Sequence, residues 1–373
     1  MRTQLARRLG CEVPIFAFSH CRDVIVEVTK AGGFGVLGAS TFSPEQLEQE
    51  LRWIDEHVAG RPYGVDVLIP ANYDKAAEAS LGELERLIPD TQRQFLDGLL
   101  TEAGVPPLPE DERARVRQEL AEGRGGMTPD GARRLLAVAL QHSQVKLVVS
   151  ALGAPPPDVV ALLRERGLMI GALCGKVSHA TRQRDAGVEV IIAQGTEAGG
   201  HTGDIATMVL VPQVVEACPE IPVLAAGGIT RGSQIAACLA LGAEGVWCGS
   251  VWLGTRESEL TPFEKDAIFA AKAEDTVRRR ARTGKPVRML RSTLSEAWEQ
   301  PGAPAYLPTP LQGILYNEAH HRVVRAGRRD LYSFPVGQAV GTMNQETSVR
   351  EVMLQMQNEY LAATERLAAL WED

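Results

Sequence analysis

Four glycines and one histidine follow a buried apolar segment near the middle of the chain. The segment Val188–Ala193 is predicted to be a parallel strand, and the loop after it runs from Gln194 to Gly203. Glycines let backbone N–H groups approach a flat or anionic ligand, and a histidine can hold or accept a proton near neutral pH. The alternative is a flexible turn with a solvated histidine. The pattern favours a ligand-binding loop, with His201 as the candidate acid–base residue.

Two further strand ends carry glycines. Gly227 and Gly228 follow the apolar segment Val223–Ala226, and Gly249 and Ser250 follow Gly245–Cys248. A helix-like segment joins the two. Backbone N–H groups and the positive end of a helix dipole bind phosphate, and (β/α)8 barrels commonly build such a site after strands seven and eight. The spacing therefore predicts a site for one terminal phosphate.

The number and order of the predicted strands show whether these loops can follow strands seven and eight of a barrel. The predicted strands are Val13–Phe18, Phe34–Ala39, Tyr63–Ile69, Val145–Ser150, Leu168–Leu173, Val188–Ala193, Val223–Ala226 and Gly245–Gly249. Helix-length amphipathic segments separate most of them, which favours an α/β fold with a right-handed parallel sheet. Eight units predict a closed (β/α)8 TIM barrel with all three loops on its C-terminal face. An open doubly wound sheet is the runner-up, and the chain lacks the dinucleotide fingerprint after its first strand.

Two segments exceed a minimal barrel of this kind. We predict a barrel domain over residues 1–256 with a helical insertion at about 71–143, where Thr128 and Pro129 indicate a helix start. A small helical lid or substrate domain is expected over 257–327. Its Arg278–Arg280 run is interpreted as a solvated helix face rather than as an anion site. Residues 328–373 are expected to return to the barrel with a long C-terminal helix.

Composition limits the classes of partner. The 373-residue chain is 45% hydrophobic and carries a formal net charge of −8, which argues against nucleic acid and anionic membranes. No apolar run approaches the ~20 residues that span a bilayer. The six scattered cysteines suit reduced thiols in a cytoplasm rather than disulfides or a zinc or other metal site. Apolar outer helices are consistent with a homodimer.

A flat heterocycle with imide edges and one phosphate fits these features. The backbone of Ala17, Phe18 and Ser19 could lie along a ring system, and the amide of Gln194 offers donors and acceptors. FMN has this combination of groups. FMN is therefore the expected cofactor.

The chain resembles the nitronate monooxygenase family, formerly called 2-nitropropane dioxygenase, along most of its length. The matching residues are Ala193–His201, Ala225–Ile229, Gly249–Ser250, Thr255–Ser258, Pro14, Ala31–Gly35 and Gly337–Gln338. The same pattern also marks flavin-dependent enoyl-thioester reductases and some NADH:quinone reductases. The resemblance thus implies an FMN-dependent (β/α)8 barrel.

The resemblance also implies site residues. The residues expected to contact FMN are Ala17, Phe18, Ser19, Asp66, Gln194, Gly199, Gly200, Gly227, Gly228, Trp247, Cys248, Gly249 and Ser250. Relatives commonly carry Asn where this chain has Asp66. They often have Ala-Pro-Met where it has Ala17-Phe18-Ser19. Lys176, after the fifth strand, is either a substrate contact or a solvated lysine.

The family reaction would give His201 a defined role. It would act as general base on a neutral nitroalkane, or hold the anionic nitronate, while the flavin accepts an electron and O2 reacts, releasing a carbonyl compound and nitrite. No NAD(P)H is needed for that cycle. One alternative is an NAD(P)H-dependent reductase of an enoyl thioester (CoA or acyl carrier protein) or a quinone. Another is a barrel that binds no flavin and serves as a binding or scaffold protein.

Overall fold

The computed structural model describes residues 1–69, 79–125 and 128–371. Its strands, in chain order, are β1 (Ile15–Ser19), β2 (Phe34–Gly38), β3 (Tyr63–Asp66), β4 (Val145–Ser150), β5 (Met169–Cys174), β6 (Val190–Gln194), β7 (Gly200–His201), β8 (Val223–Ala226), β9 (Gly245–Cys248), β10 (Thr276–Arg279) and β11 (Val287–Leu290). β1 to β6 pair in parallel in chain order, followed by β8 and β9, and β9 closes the sheet on β1. The predicted closed barrel is confirmed, and the open sheet is excluded.

Helices surround the barrel and build the additions. They are α1 (Gln4–Leu9), α2 (Arg22–Lys30), α3 (Pro44–His57), α4 (Leu81–Arg86), α5 (Asp90–Glu102), α6 (Glu110–Gly125), α7 (Pro129–Ala139), α8 (Pro157–Glu165), α9 (Val177–Asp185), α10 (Thr207–Ala217), α11 (Gly232–Ala240), α12 (Pro262–Phe269), α13 (Thr293–Ala297), α14 (Leu311–Arg325) and α15 (Val349–Ala369). α15 packs against α11 and α2, so the C-terminal helix completes the outer ring.

Local sequence explains where several helices begin. The Ser43 hydroxyl accepts from Gln46 N–H, while the Gln46 side chain accepts from Ser43 N–H, which forms a capping box before α3. Thr128 caps α7 by accepting from Gly131 N–H at 3.1 Å, and Pro129 takes the first position. This agrees with the helix start that the sequence indicates at Thr128.

The barrel strands are buried on both faces. Phe16, Phe34, Leu147 and Ile192 fill the interior of the barrel with their neighbours. Alternate positions, such as Ile191, pack outward against the helices. This two-sided burial explains why the strands read as continuous apolar runs in the sequence.

The two additions share a second hydrophobic core. Leu96 and Leu100 of α5 cluster with Leu290 of β11 and with Ala319 and Val323 of α14. The insertion after β3 and the segment after β9 therefore pack on each other, although they are far apart in the chain. Residues 70–78 of the insertion, and Gly126 and Met127 before its last helix, lie outside the described residues.

The segment 257–327 contains strands as well as the predicted helices. β10 and β11 are antiparallel, and β11 pairs in turn with β7, so that Val287 lies opposite His201. The sequence interpretation of Arg278–Arg280 as a helix face is wrong, because Arg278 and Arg279 belong to β10. In the three described ranges, no helix combines the length and apolar character that a membrane span requires.

Candidate active site

The C-terminal mouth of the barrel is lined by the last inward-facing side chain of seven of its eight strands. Side chains alternate along a strand, so the interior positions Phe16, Val190 and Leu224 fix which later residues also point inward. Those later residues are Phe18, Asp66, Val149, Leu173, Gln194, Ala226 and Trp247. Four predicted cofactor contacts, Phe18, Asp66, Gln194 and Trp247, therefore meet at one opening.

The first and last strands meet at one side of this mouth. The rings of Phe18 and Trp247 stack with centroids 6.0 Å apart. Ala17 and Cys248 belong to the outer layer, against the helices, so only their backbone atoms can face a ligand in the barrel. Ser19 closes the turn after β1, since its hydroxyl accepts from Cys21 N–H at 3.1 Å.

The turn after β8 is held by one glutamine side chain. The amide oxygen of Gln234 accepts from Thr230 N–H at 2.8 Å, and its amide nitrogen donates to the Gly228 carbonyl at 2.8 Å. Gly227 and Gly228 have φ values of 120° and 67°, which favour glycine. This turn leads directly into α11, but Arg231 N–H donates to the Gln234 amide oxygen and Gly232 N–H donates to the Glu359 carboxylate. The first N–H groups of this helix are therefore not open to a phosphate, and only the glycine turn itself remains as a candidate contact.

The turn after β9 leaves open space beside its glycine. A Cβ atom built on Gly249 would have no heavy atom within 4 Å. The Ser250 hydroxyl oxygen accepts from Gly337 N–H at 2.9 Å, which leaves its own proton free to be donated. Both features suit a phosphate group beside this turn.

A carboxylate fixes the start of the histidine loop. Glu197 accepts from the backbone N–H of Thr207 at 3.0 Å and from its hydroxyl at 2.8 Å, at the first position of α10. This interaction places a negative charge at a helix N-terminus, where it is favourable. Gly195 packs here too closely for any side chain, because a Cβ would lie 2.1 Å from the Thr207 hydroxyl oxygen.

The glycines of the loop serve two different purposes. Gly199 packs against the backbone of residues 336–337, where a Cβ would lie 2.7 Å from Gly337 nitrogen. Gly200 has a φ of 79°, and a Cβ there would meet nothing within 4 Å. Close packing therefore accounts for Gly199, whereas Gly200 provides the backbone turn into His201.

His201 lies on β7, and the neighbouring strand β11 holds this strand in place. Arg288 pairs with Gly200 in the sheet and donates from Nε to the Thr196 carbonyl at 2.6 Å. The Arg288 side chain is buried and also donates to the Thr276 hydroxyl at 3.2 Å. The histidine loop is thus fastened to the barrel through Glu197 and to the added sheet through Arg288.

The imidazole of His201 has one protein partner among the described residues. Its Nε2 lies 2.9 Å from the hydroxyl oxygen of Thr283, in the connection between β10 and β11. Protein around the ring displaces solvent and lowers the pKa of His201, and the positive charges of Lys285 and Arg282 lower it further. The side chain remains exposed to solvent on part of its surface. It is therefore suited to be neutral, and able to accept a proton, near pH 7.

Asp66 is a buried carboxyl group at the mouth. Its residue is 4% exposed, and burial raises the pKa of Asp66 to about 7, although an N–H of Ala151 opposes the shift. A carboxyl group in this state is partly protonated at neutral pH, and it can then donate a hydrogen bond as Asn does. This removes much of the chemical difference from the Asn that relatives commonly carry.

Lys176 is exposed at the edge of the same face. It precedes α9, directly after Gly175, which packs against Gly203 of the histidine loop. Within the described part of the chain its ammonium group makes no hydrogen bond or salt bridge, and its charge acts on His179 nearby. Its position is compatible with the predicted substrate contact and with a solvated lysine.

A cavity of about 300 Å³ lies elsewhere, among the helices of the additions. Its charged lining is paired internally: Arg117 with Glu85, Arg322 with Asp97, and Arg113 with Glu318. Across the ranges that the structure covers, no group of three or more His, Cys, Asp or Glu side chains could hold a metal ion.

Thr283 and Arg288 both contact the histidine loop, and neither is among the site residues predicted from the sequence. Two β-prone segments flank Gly284 and Pro286, and this is a hairpin signal. The neighbouring arginine run resembles a helix face, and this resemblance obscures the hairpin signal in the sequence. Nothing local could have indicated that this hairpin would pair with β7.

Comparisons with known proteins agree with this architecture. The family model "Nitronate monooxygenase" matches residues 21–359. A protein of Mycobacterium tuberculosis (strain ATCC 25618 / H37Rv), named "Putative monooxygenase Rv1533", is 48% identical over 99% of each chain. The structure of nitroalkane oxidase from Streptomyces ansochromogenes has a TM-score of 0.78 and 28% identity, and covers 97% of this chain and 99% of that one. FabK from Thermotoga maritima has a TM-score of 0.73 and 25% identity over 99% of each chain.

The family match spans most of the chain and includes β2 to β11. The glycine turns and the histidine loop lie within the matched residues. This chain therefore belongs to the nitronate monooxygenase family and is an oxidoreductase of that type.

Proposed function

We propose that this protein oxidises alkyl nitronates and nitroalkanes with O2, using FMN, to a carbonyl compound and nitrite. The observation that carries the proposal is the position of His201. It lies on a loop that begins at the barrel mouth and is anchored by Glu197 and Arg288. The two glycine turns suited to phosphate follow the next two barrel strands.

The residues present fit FMN on structural grounds. The open space beside Gly249, the proton of the Ser250 hydroxyl and the glycine turn at Gly227 and Gly228 would hold its phosphate. Gln194 and Asp66 would offer hydrogen bonds to the polar edge of the ring. When bound, the flavin supplies the acceptor for electrons from the substrate.

His201 would carry out the proton chemistry on a neutral nitroalkane. The Cα–H bond breaks, the proton moves to the imidazole, and the electron pair stays on the nitronate. The lowered pKa of His201 keeps the imidazole neutral before this step. Lys285 and Arg282, which lower that pKa, would also attract the anionic nitronate.

The proposal includes a cytoplasmic location and a homodimer. All six cysteines carry free thiols, as a reducing compartment would require. Leu361 and Leu370 of the C-terminal segment are 55% and 73% exposed, which suits burial against a second copy. Sedimentation of the purified holoenzyme at two concentrations would measure the oligomeric state.

An assay for nitrite tests the proposed reaction. The purified protein is expected to be yellow, to release FMN on denaturation, and to form nitrite from a preformed alkyl nitronate in air without NAD(P)H. His201→Asn should retain FMN and lose about 10²- to 10⁴-fold turnover on the neutral nitroalkane.

Two outcomes would contradict the proposal. A colourless protein that neither contains nor binds FMN would support a flavin-free barrel. A yellow protein that forms no nitrite, but consumes NAD(P)H with an enoyl thioester or quinone, would be a reductase instead. Unchanged turnover of His201→Asn on the neutral nitroalkane would remove the base assignment alone.

A further inference from the structure

Thr283 contacts the imidazole of His201 from outside the barrel. The hydroxyl oxygen of Thr283 lies 2.9 Å from His201 Nε2, and the two residues are 82 positions apart in the chain. Thr283 belongs to the connection between β10 and β11, and β11 pairs with the strand that carries His201. The contact is therefore supported by a sheet rather than by a chance approach of two loops.

The surroundings of Thr283 hold its side chain in place. Its hydroxyl oxygen accepts from Lys285 N–H at 3.3 Å, and the same hydroxyl lies 3.3 Å from the Lys285 carbonyl oxygen. Its own carbonyl accepts from the hydroxyl of Thr309 at 2.6 Å. The Thr283 backbone is thus tied to Thr309, and its hydroxyl is tied to the Lys285 backbone.

The single hydroxyl proton of Thr283 can be directed in two ways. If it points at His201 Nε2, the Lys285 carbonyl accepts no hydrogen bond from this hydroxyl. One lone pair of the hydroxyl oxygen then also accepts no hydrogen bond. If it points at the Lys285 carbonyl, the oxygen can accept from both Lys285 N–H and His201 Nε2–H, which uses its full capacity. The second arrangement satisfies more groups.

We propose that Thr283 is a positioning residue that fixes the proton of neutral His201 on Nε2 and leaves Nδ1 as the nitrogen that accepts the substrate proton. Nδ1 has no hydrogen-bond partner in the described part of the chain. After the substrate Cα–H bond breaks, the new N–H bond forms at Nδ1, and Nε2–H keeps its bond to Thr283. This arrangement follows the general logic of a base held by an orienting third group.

The proposal rests on His201 acting as the base, yet it can be tested without turnover. In holoenzyme labelled with 15N-histidine, long-range 1H–15N correlation spectra report which ring nitrogen carries the proton. His201→Asn identifies the signal by its loss. We expect the Nε2–H form in the wild type and in Thr283→Ser. A mixture of both forms is expected in Thr283→Val, which is similar in shape but has no hydroxyl.

Kinetics provide the second measurement. Thr283→Val should lose about tenfold in kcat on a neutral nitroalkane, as expected for one hydrogen bond to a charged group, with a smaller loss on the preformed nitronate. Thr283→Ser should restore most of the kcat. Circular dichroism and FMN content would show that each variant is folded.

Three results would overturn the proposal: an Nδ1–H form in the wild type, a spectrum of His201 that is the same in Thr283→Val, or a failure of Thr283→Ser to restore the signal. Failure of the proposed function would look different. Nitronate would then give no nitrite in any variant, while the spectra would still report the proton position on His201.

Discussion

Asp66 shows how burial can make one residue resemble another. The pKa of Asp66 is raised from an ordinary value near 3.8 to about 7. Between these two pH values the folded protein keeps a proton on Asp66, whereas the unfolded chain has released it. Stability should therefore fall as pH rises through this interval. The carboxyl group imposes this cost on folding at neutral and alkaline pH.

Asp66→Asn should remove that cost. We expect the variant to be more stable than the wild type at pH 8 by about 2–4 kcal/mol, and the difference to shrink as the pH approaches 4. Urea unfolding of the two proteins across this range would measure it. A stability difference that does not vary with pH would contradict the raised pKa.

Lys285 illustrates how a surface charge can tune the pKa of the proposed base, His201. It is exposed, and its positive charge is one cause of the lowered pKa of His201. Removing a cation makes the imidazolium form less unfavourable, so the pKa of His201 should rise in Lys285→Gln. The acidic limb of kcat/KM on a neutral nitroalkane should then move to higher pH.

A charge-conserving variant separates charge from shape at this position. In Lys285→Arg the acidic limb should stay where it is in the wild type. At high salt the profiles of Lys285→Gln and the wild type should converge, because exposed charges are screened. Identical profiles at low salt would show that Lys285 does not act on His201.

At the scale of elements, the turn after β9 can be tested separately from folding. Gly249 has a φ of −118°, which alanine can adopt, and an added Cβ would enter open space. Gly249→Ala should therefore fold normally but obstruct the phosphate of FMN. We expect FMN content, measured by absorbance after release, to fall by at least about tenfold. A tenfold weaker affinity corresponds to a loss of about 1.4 kcal/mol in the free energy of FMN binding.

Gly98→Ala is the matched control for this experiment. Gly98 lies on α5, and a Cβ there would also meet nothing within 4 Å. This variant should keep its FMN and should be stabilised slightly, by about 0.5–1 kcal/mol, since alanine favours a helix. Full FMN content in Gly249→Ala would place the phosphate elsewhere.

The elements differ in how well sequence can predict them. The eight barrel strands are predictable because each is an apolar run that ends in glycine or in a polar residue, and helices separate them. β10 and β11 are harder, because the arginine run Arg278–Arg280 at the end of β10 resembles a solvated helix face in the sequence. Their partner β7 has only two residues, Gly200 and His201, and gives no strand signal of its own.

Within the site, the barrel mouth could be predicted but the support of His201 could not. Gln194, Gly228 and Gly249 follow from strand ends, which share one face by topology. The contacts from Arg288 to Thr196 and from Thr283 to His201 join residues 92 and 82 positions apart. Tertiary folding alone creates such contacts, so no local pattern indicates them.

At the scale of the whole molecule, the barrel is completed by its C-terminal helix. α15 packs against α11 so closely that a Cβ on Gly232 would lie 2.0 Å from the Met356 carbonyl oxygen. Glu359 accepts from Gly232 N–H at 2.9 Å and pairs with Arg231 at 2.8 Å. A carboxylate thus docks on the N-terminus of α11, where the helix dipole favours it.

Gly232→Ala should force these two helices apart. We expect a loss of at least ~2 kcal/mol in the free energy of unfolding, because backbone atoms cannot move aside as a side chain can. Chemical denaturation of this variant beside Gly98→Ala would measure the loss. Equal stability of Gly232→Ala and the wild type would mean that α15 is held more loosely than the structure shows.

The most direct test of the central claim is the anaerobic absorbance of the holoenzyme. If nitronates are the substrates, adding an alkyl nitronate without oxygen should bleach the flavin band, and admitting air should restore the band and release nitrite. NADH or NADPH should not produce the same rapid change. Rapid bleaching by NADH or NADPH, with no response to nitronates, would contradict the account.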